Sequence, residues 1–224
     1  LKTTTSVLAG LTLSFSELAA GGAPLEHANT DINDQKSLQN GASLFMNYCS
    51  GCHSIEFMRY NRIGKDLNIS DADVEKNLMF SGDKIGGTIT SSMSKAGAEK
   101  WFGTTPPDLS LVSRSKGVDW VYTYLRSFYK DDTRPFGVNN KILVNASMPD
   151  VLWELKQNKS AEDFDQDVRD ITNFLDYVGE PAKLVRVDLG YKVLGFLFVL
   201  FILSYLLKKE YWKDVKYGKW RAKD

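Results

Sequence analysis

The sequence predicts a mainly α-helical domain with long loops, carried on one C-terminal transmembrane helix. Three observations predict it. Apolar residues recur at helical spacing in several segments, whereas the alternation of half-buried strands is scarce. Stretches containing Gly and Pro separate those segments, at Ser81 to Thr90, Gly103 to Pro107 and Pro135 to Pro149. Near the C-terminus, the 19 positions from Leu189 to Leu207 carry a single charge, Lys192. A chain of 224 residues has room for one soluble domain of ordinary size and an appendage, without a disulfide lattice.

Taken in order, the stretch from Val7 to Ala20 follows Lys2, is weakly apolar and ends in Ala19-Ala20-Gly21-Gly22-Ala23. Residues 1–20 therefore read as the remnant of a secretory signal peptide cleaved near Ala20, with an ordinary amphipathic segment as the alternative. Leu38, Gly41, Ala42, Phe45 and Tyr48 share one face of a helix running into Cys49. Ser70 with Asp73 makes a capping-box-like start to a short helix carrying Val74 and Leu78. Val121, Tyr124, Leu125 and Phe128 stripe a third helix, stopped by the turn from Asp131 to Pro135. Ser160 with Asp163 opens a fourth, striped by Phe164, Val168, Ile171, Phe174 and Leu175 and ended by Gly179 before Pro181. Gly179 to Val187 reads as a short connector. Loops as long as those between these helices are uncommon in a compact domain unless they wrap something, so an embedded prosthetic group would supply the missing core.

A 19-residue helix covers about 28 Å, close to the hydrocarbon thickness of a bilayer. No polar stripe interrupts Val193 to Leu207, as one would in a buried soluble helix, and Tyr191, Tyr205, Tyr211 and Trp212 lie near its ends. Charge differs on its two sides. Ala161 to Glu180 holds seven acids against Arg169, and Lys208 to Asp224 holds seven bases against three acids. The basic side faces the cytoplasm by the positive-inside rule, so the organisation expected is an exported domain over 21–186, an anchor over 187–207 and a basic cytoplasmic tail over 208–224. The overall net charge of zero gives no reason to expect nucleic acid.

Cys49 and Cys52 are the only cysteines, which excludes a disulfide-rich scaffold and a four-cysteine metal site from this chain alone. They belong to Cys49-Ser50-Gly51-Cys52-His53. Two cysteines three apart on a helical turn can both form thioethers to one haem, and the adjacent histidine reaches the iron. A thiol–disulfide pair is the first alternative, but it usually sits in a βαβ setting that is not found here. Zinc is the second, and it would need His27 as a fourth ligand beside an awkwardly adjacent Cys-His pair. For the sixth iron ligand, Met46 and Met58 lie too near the attachment site. Met79, Met93 and Met148 remain open, as does His27, although most methionines are core fillers and a lone histidine is usually solvated. Met148, followed by Pro149 after a stretch with Asn139, Asn140 and Asn145, suits a loop that presents a thioether.

The chain resembles the bacterial cytochrome c1 family, the haem subunits of quinol–cytochrome c reductase (the bc1 complex). The resemblance rests on the Cys49 to Ser54 motif, Pro106-Pro107-Asp108-Leu109-Ser110, Asn145-Ala146-Ser147-Met148-Pro149, Phe174-Leu175 and Glu180-Pro181 before the single span, and it covers the chain from about Gln35 onward. It implies a class I c-type cytochrome-like haem domain, one covalent haem c bound through Cys49, Cys52, His53, Met148 and Pro107, and Met148 as the axial methionine. It also implies that Arg114 approaches a haem propionate. The implied partners are cytochrome b, the Rieske iron–sulfur protein, a c-type cytochrome acceptor and the lipid bilayer, in a dimeric complex at the bacterial inner membrane. Some members have a further cysteine pair; here the loop from Pro135 to Ser147 is expected to be held by packing alone.

The implied reaction is one-electron transfer, with quinol oxidised on another subunit. With His53 on iron, the chain has little left for acid/base catalysis, and no nucleophile of its own. Two alternatives are a free-standing membrane-anchored electron carrier and a periplasmic thiol oxidoreductase. Asp66, Asp71, Asp73, Glu75 and the acids after Ala161 would steer a basic cytochrome, or would simply be solvated helix faces.

Overall fold

The computed structural model describes residues 24–218. The expected signal-peptide remnant and the end of the basic tail, from Lys219 onward, lie outside the described residues. The elements are α1 (Gln35–Tyr48), β1 (Ile55–Arg59), α2 (Tyr60–Asp66), α3 (Asp71–Asn77), β2 (Thr88–Ile89), α4 (Lys95–Phe102), α5 (Val112–Lys116), α6 (Val118–Arg126), β3 (Phe128–Lys130), β4 (Val138–Asn140), α7 (Trp153–Asn158), α8 (Ala161–Gly179) and α9 (Lys183–Lys216). The fold is mainly α, as the periodicity predicts. Its strands form two separate antiparallel pairs, β1 with β2 and β3 with β4.

The core is organised by α1 and α8, which pack along each other, with α5 and α6 against α8. Asp34 caps α1 by accepting from the backbone N–H groups of Lys36 and Ser37, and Ser160 caps α8 by accepting from that of Asp163. The predicted face of α1 is the buried one: Leu38, Gly41, Ala42 and Phe45 point inward. Gly41 marks the closest approach of the two helices. A Cβ there would fall 2.0 Å from the Asp170 carbonyl oxygen and 2.8 Å from Phe174 Cβ. Phe45 meets Phe174 with ring centroids 5.7 Å apart, and the two rings are completely buried. Full burial of side chains this size stabilises by roughly 1.5–3 kcal/mol each.

Several acids of α8 serve neither as a solvated face nor as a steering surface. Asp170 is buried and accepts from the Ser37 hydroxyl (2.7 Å), Asn40 Nδ2 (2.7 Å) and Gln166 Nε2 (2.8 Å), which pins α1 to α8. Asp167 is buried beside Lys159, and Asp165 pairs with Arg126 of α6 at 2.8 Å. A buried carboxylate must be compensated, and here three hydrogen bonds do so for Asp170 and the ion pair with Lys159 for Asp167. Asp66 is likewise engaged, accepting from Arg62 and from the Tyr177 hydroxyl at 2.9 Å.

Two predicted boundaries move. α6 ends at Arg126, so Phe128 does not continue the helical stripe; it opens β3 opposite Asn140. It is buried beside Tyr124 all the same, because a short segment satisfies periods of 3.6 and 2 equally well. The expected connector from Gly179 to Val187 shrinks to Glu180–Ala182, because α9 begins at Lys183. Pro181 is tolerated just ahead of a helix, and nothing from Leu184 to Val187 breaks one. α9 has 34 residues and contains the one candidate membrane span among the described residues, Lys183–Lys213, with mean hydropathy 2.0. Its apolar side chains are exposed, as a helix that faces lipid requires.

Candidate functional site

The Cys49 to His53 segment prolongs the end of α1. Cys49 and Ser50 donate their N–H groups to the Phe45 carbonyl (2.8 and 3.0 Å), and Cys52 and His53 donate theirs to the Cys49 carbonyl (3.1 and 2.9 Å). One extra turn therefore brings both thiols and the imidazole to the same place. The turn is braced by the Ser50 hydroxyl on the Met46 carbonyl and the Ser91 hydroxyl on the Gly51 carbonyl, both at 2.7 Å.

His53 Nδ1 lies 2.8 Å from the Pro107 carbonyl oxygen. A carbonyl only accepts, so Nδ1 carries the proton and Nε2 keeps its lone pair free for a metal. Pro107 is held in turn. Leu109 N–H donates to the Ser54 carbonyl (2.8 Å), Glu56 N–H donates to the Asp108 carboxylate (2.9 Å), and Phe57 N–H donates to the Ser110 hydroxyl (3.2 Å). The Pro106 to Ser110 motif is thus laced to the chain just after His53, and it fixes ring orientation as outer partners of metal ligands do. Burial lowers the His53 pKa, against the opposing pull of the Pro107 carbonyl and Asp108, and so favours the neutral, ligating form.

Cys49, Cys52, His53 and Pro107 line a cavity of about 490 Å³, and Met148 lines it too. None of the other four methionines does. Met46 and Met58 are buried in the main core and Met79 packs at its edge. His27 is exposed and 2.8 Å from Asp119. The rest of the lining is largely apolar and includes Leu109, Leu125, Ile171 and Leu175.

Met148 arrives on the loop after β4, and that loop is not held by packing alone. Asparagine side chains organise it. Asn139 Oδ1 accepts from the N–H groups of Asn140 (2.9 Å) and Asn145 (2.8 Å), while its Nδ2 donates to Asp131 (2.9 Å). Asn140 Oδ1 accepts from Ile142 (2.9 Å) and Leu143 (3.2 Å), and its Nδ2 donates to the Tyr124 carbonyl (2.8 Å). Arg134 donates to the Asn145 carbonyl at 3.0 Å. Asn145 has φ of 65°, a left-handed conformation that asparagine tolerates better than most residues.

The donor set fits a covalently held haem: two thiols on one turn, an imidazole with a free Nε2, one thioether and an apolar lining. It does not suit a redox dithiol, since burial and the neighbouring Cys52 push the Cys49 thiol up to about 12 and burial raises Cys52 as well. Nor does it suit zinc. Among the described residues no cluster of three or more His, Cys, Asp or Glu side chains could hold a metal ion.

Comparison with known proteins agrees. Residues 83–215 match the Cytochrome C1 family. The chain is 50% identical to the cytochrome c1 of Allochromatium vinosum, over 88% of this chain and 92% of that one. The chain belongs to the cytochrome c1 family. As a cytochrome c1 homologue it is a membrane-anchored haem subunit of the bc1 complex, with one covalently attached haem c, working in electron transfer. It is also 43% identical to a Nitrosomonas europaea protein named ammonia monooxygenase gamma subunit (85% of this chain, 88% of that one) and 26% identical to the cytochrome c1 of Rhodospirillum rubrum (82% and 84%).

Within this cytochrome c1 fold, the structure does not bring Arg114 together with the other five predicted site residues. Its guanidinium is on Glu180 and it does not line the cavity. Lys116 does line it, with Nζ 5.7 Å from the centre of the Trp120 ring. Both belong to α5, and two helical positions are about 200° apart, so they face different ways. Lys116 carried no motif signal beyond its closeness to Arg114. Tyr124 was visible only as one apolar position in a stripe, yet its hydroxyl is 3.6 Å from Met148 Sδ.

Proposed function

We propose that Cys49 and Cys52 would carry the thioether links to haem c and that His53 and Met148 would ligate its iron. The domain that holds them would lie on the periplasmic side of the bacterial inner membrane and pass single electrons from the Rieske iron–sulfur protein to a c-type cytochrome. The observation that carries this reading is the cavity, which gathers the two thiols, the imidazole and one methionine of five. When bound, haem c would supply one-electron chemistry, and a donor set of one imidazole and one thioether would favour its reduced form and a relatively high potential.

The chain's own residues do the rest. Pro107 fixes the tautomer and orientation of His53 through its carbonyl. The apolar lining keeps water from the ligands and lowers the local dielectric. Lys116, which lines the cavity, would approach a haem propionate where the family resemblance implies Arg114, while Arg114 braces α5 against Glu180. Asp71, Asp73 and Glu75 are exposed on α3 and remain available to attract a basic acceptor. The basic end of α9 supports a cytoplasmic C-terminus, and the complex would be a dimer.

The reading is tested on the native membrane complex by intact-mass measurement of this chain together with rapid-mixing reduction by quinol. The expected result is a chain heavier than its polypeptide by one haem, reduced through the complex and reoxidised by added c-type cytochrome. Bare polypeptide with two titratable thiols would refute it.

A further inference from the structure

We propose that Tyr124 is a positioning residue for the iron's sixth ligand: its phenol donates a hydrogen bond to Met148 Sδ and thereby raises the reduction potential of the haem. The inference rests on the reading of Met148 as that ligand. The oxygen-to-sulfur distance is 3.6 Å, suitable for a donor on sulfur, and Met148 Sδ is the hydroxyl's one hydrogen-bond partner among the described residues. A buried hydroxyl with no partner costs about 1–3 kcal/mol, so the contact is one the fold has reason to keep.

The phenol is held in place from three sides. The ring stacks on Trp120 with centroids 5.0 Å apart and planes 7° apart. Phe128 meets it edge-on at 5.2 Å. The Tyr124 carbonyl accepts from Asn140 Nδ2, and the Oδ1 of that same asparagine accepts from Ile142 and Leu143 at the start of the methionine loop. One side chain therefore ties the donor's helix to the acceptor's loop.

The effect on the metal follows from the sulfur lone pairs. A hydrogen bond to the thioether draws density from sulfur, and this weakens its donation to ferric iron, the more electron-poor state. The reduced state is favoured. Second-shell hydrogen bonds are among the recognised ways a protein sets haem potential.

The test is redox potentiometry on the purified complex carrying Tyr124→Phe, which keeps the ring and removes only the hydroxyl. The expected result is an unchanged haem mass and a retained ferric sulfur-to-iron charge-transfer band. The ferrous-to-ferric ratio at fixed ambient potential should fall roughly fivefold, about 40 mV at 59 mV per tenfold for one electron. Site-specific fluorotyrosine at position 124, isosteric but a stronger donor, should move the potential the other way, and it serves if the phenylalanine variant fails to mature. Unchanged potential in the phenylalanine variant with the band retained, or in the fluorotyrosine protein, overturns the proposal. A wild-type protein without the charge-transfer band would instead overturn the ligand assignment beneath it.

Discussion

The two ends of the cavity are built differently. The cysteine–histidine end is an extra turn of α1, fixed by backbone hydrogen bonds and seated on the main core through Leu38, Phe45 and α8. The methionine end is a loop set on a separate small cluster of Tyr124, Phe128 and Ala146, and its shape comes from the side chains of Asn139 and Asn140. The proposed attachment cysteines and the imidazole thus sit on the part of the fold with the deepest burial. The thioether sits on a part kept in register chiefly by side-chain hydrogen bonds over a small apolar cluster. The difference teaches that the first end should fail only with global unfolding, whereas the second can be lost locally with the haem still attached.

The sharpest way to break that contrast is at the α1–α8 contact. Gly41→Val places side-chain atoms against the Asp170 carbonyl and Phe174, and should lower global stability by about 3 kcal/mol, read as a reduced unfolding midpoint in denaturant. Next comes Asn140→Ala, which removes the acceptor of the Ile142 and Leu143 amides and one of the two donors on the Tyr124 carbonyl. It should cost about 2 kcal/mol and selectively weaken methionine ligation while thioether-bound haem remains, visible by absorption before any loss of helicity by circular dichroism. Equal loss of both signals would show that the ends are not independent.

A smaller effect concerns the segment before α1, which lies across α6. The Ala28 N–H donates to Asp119 at 2.9 Å and His27 lies beside it, so the Asp119 carboxyl is held below the usual carboxylate range. A depressed carboxylate stabilises the fold above its unfolded pKa, about 3.9, and that contribution disappears as pH falls through the lower folded value. Asp119→Asn should therefore be less stable than wild type at neutral pH and converge with it in acid, as followed by thermal melts across pH. A gap that stays constant with pH would assign the loss to packing. Smallest of all is Lys130→Ala at the end of β3: the Lys130–Asp132 pair is solvent-exposed at 3.4 Å, and its removal should leave the melting temperature and the methionine signal unchanged.

The same contrast explains what the sequence disclosed. The cysteine–histidine end is contiguous, so its spacing alone states its chemistry, and the face of α1 and the caps at Ser70 and Ser160 obey local rules. The apolar run of α9 is equally local. What stayed hidden is relational. Asp167 and Asp170 look like surface charges until their partners, on α1 and just after α7, are known. Asn139 and Asn140 look like turn residues, although they shape a loop. Lys116 and Arg114 differ only in which side of α5 they occupy. The strand at Phe128 was masked by a stripe too short to distinguish two periods.

The central claim is that one iron is gripped by His53 and Met148 at these unlike ends. Near-infrared magnetic circular dichroism of the ferric protein in its native complex tests it most directly. The account predicts the charge-transfer signature of histidine–methionine ligation, abolished in Met148→Leu with haem still covalently bound. A bis-histidine or high-spin signature in the wild type, or one that survives Met148→Leu, would contradict it.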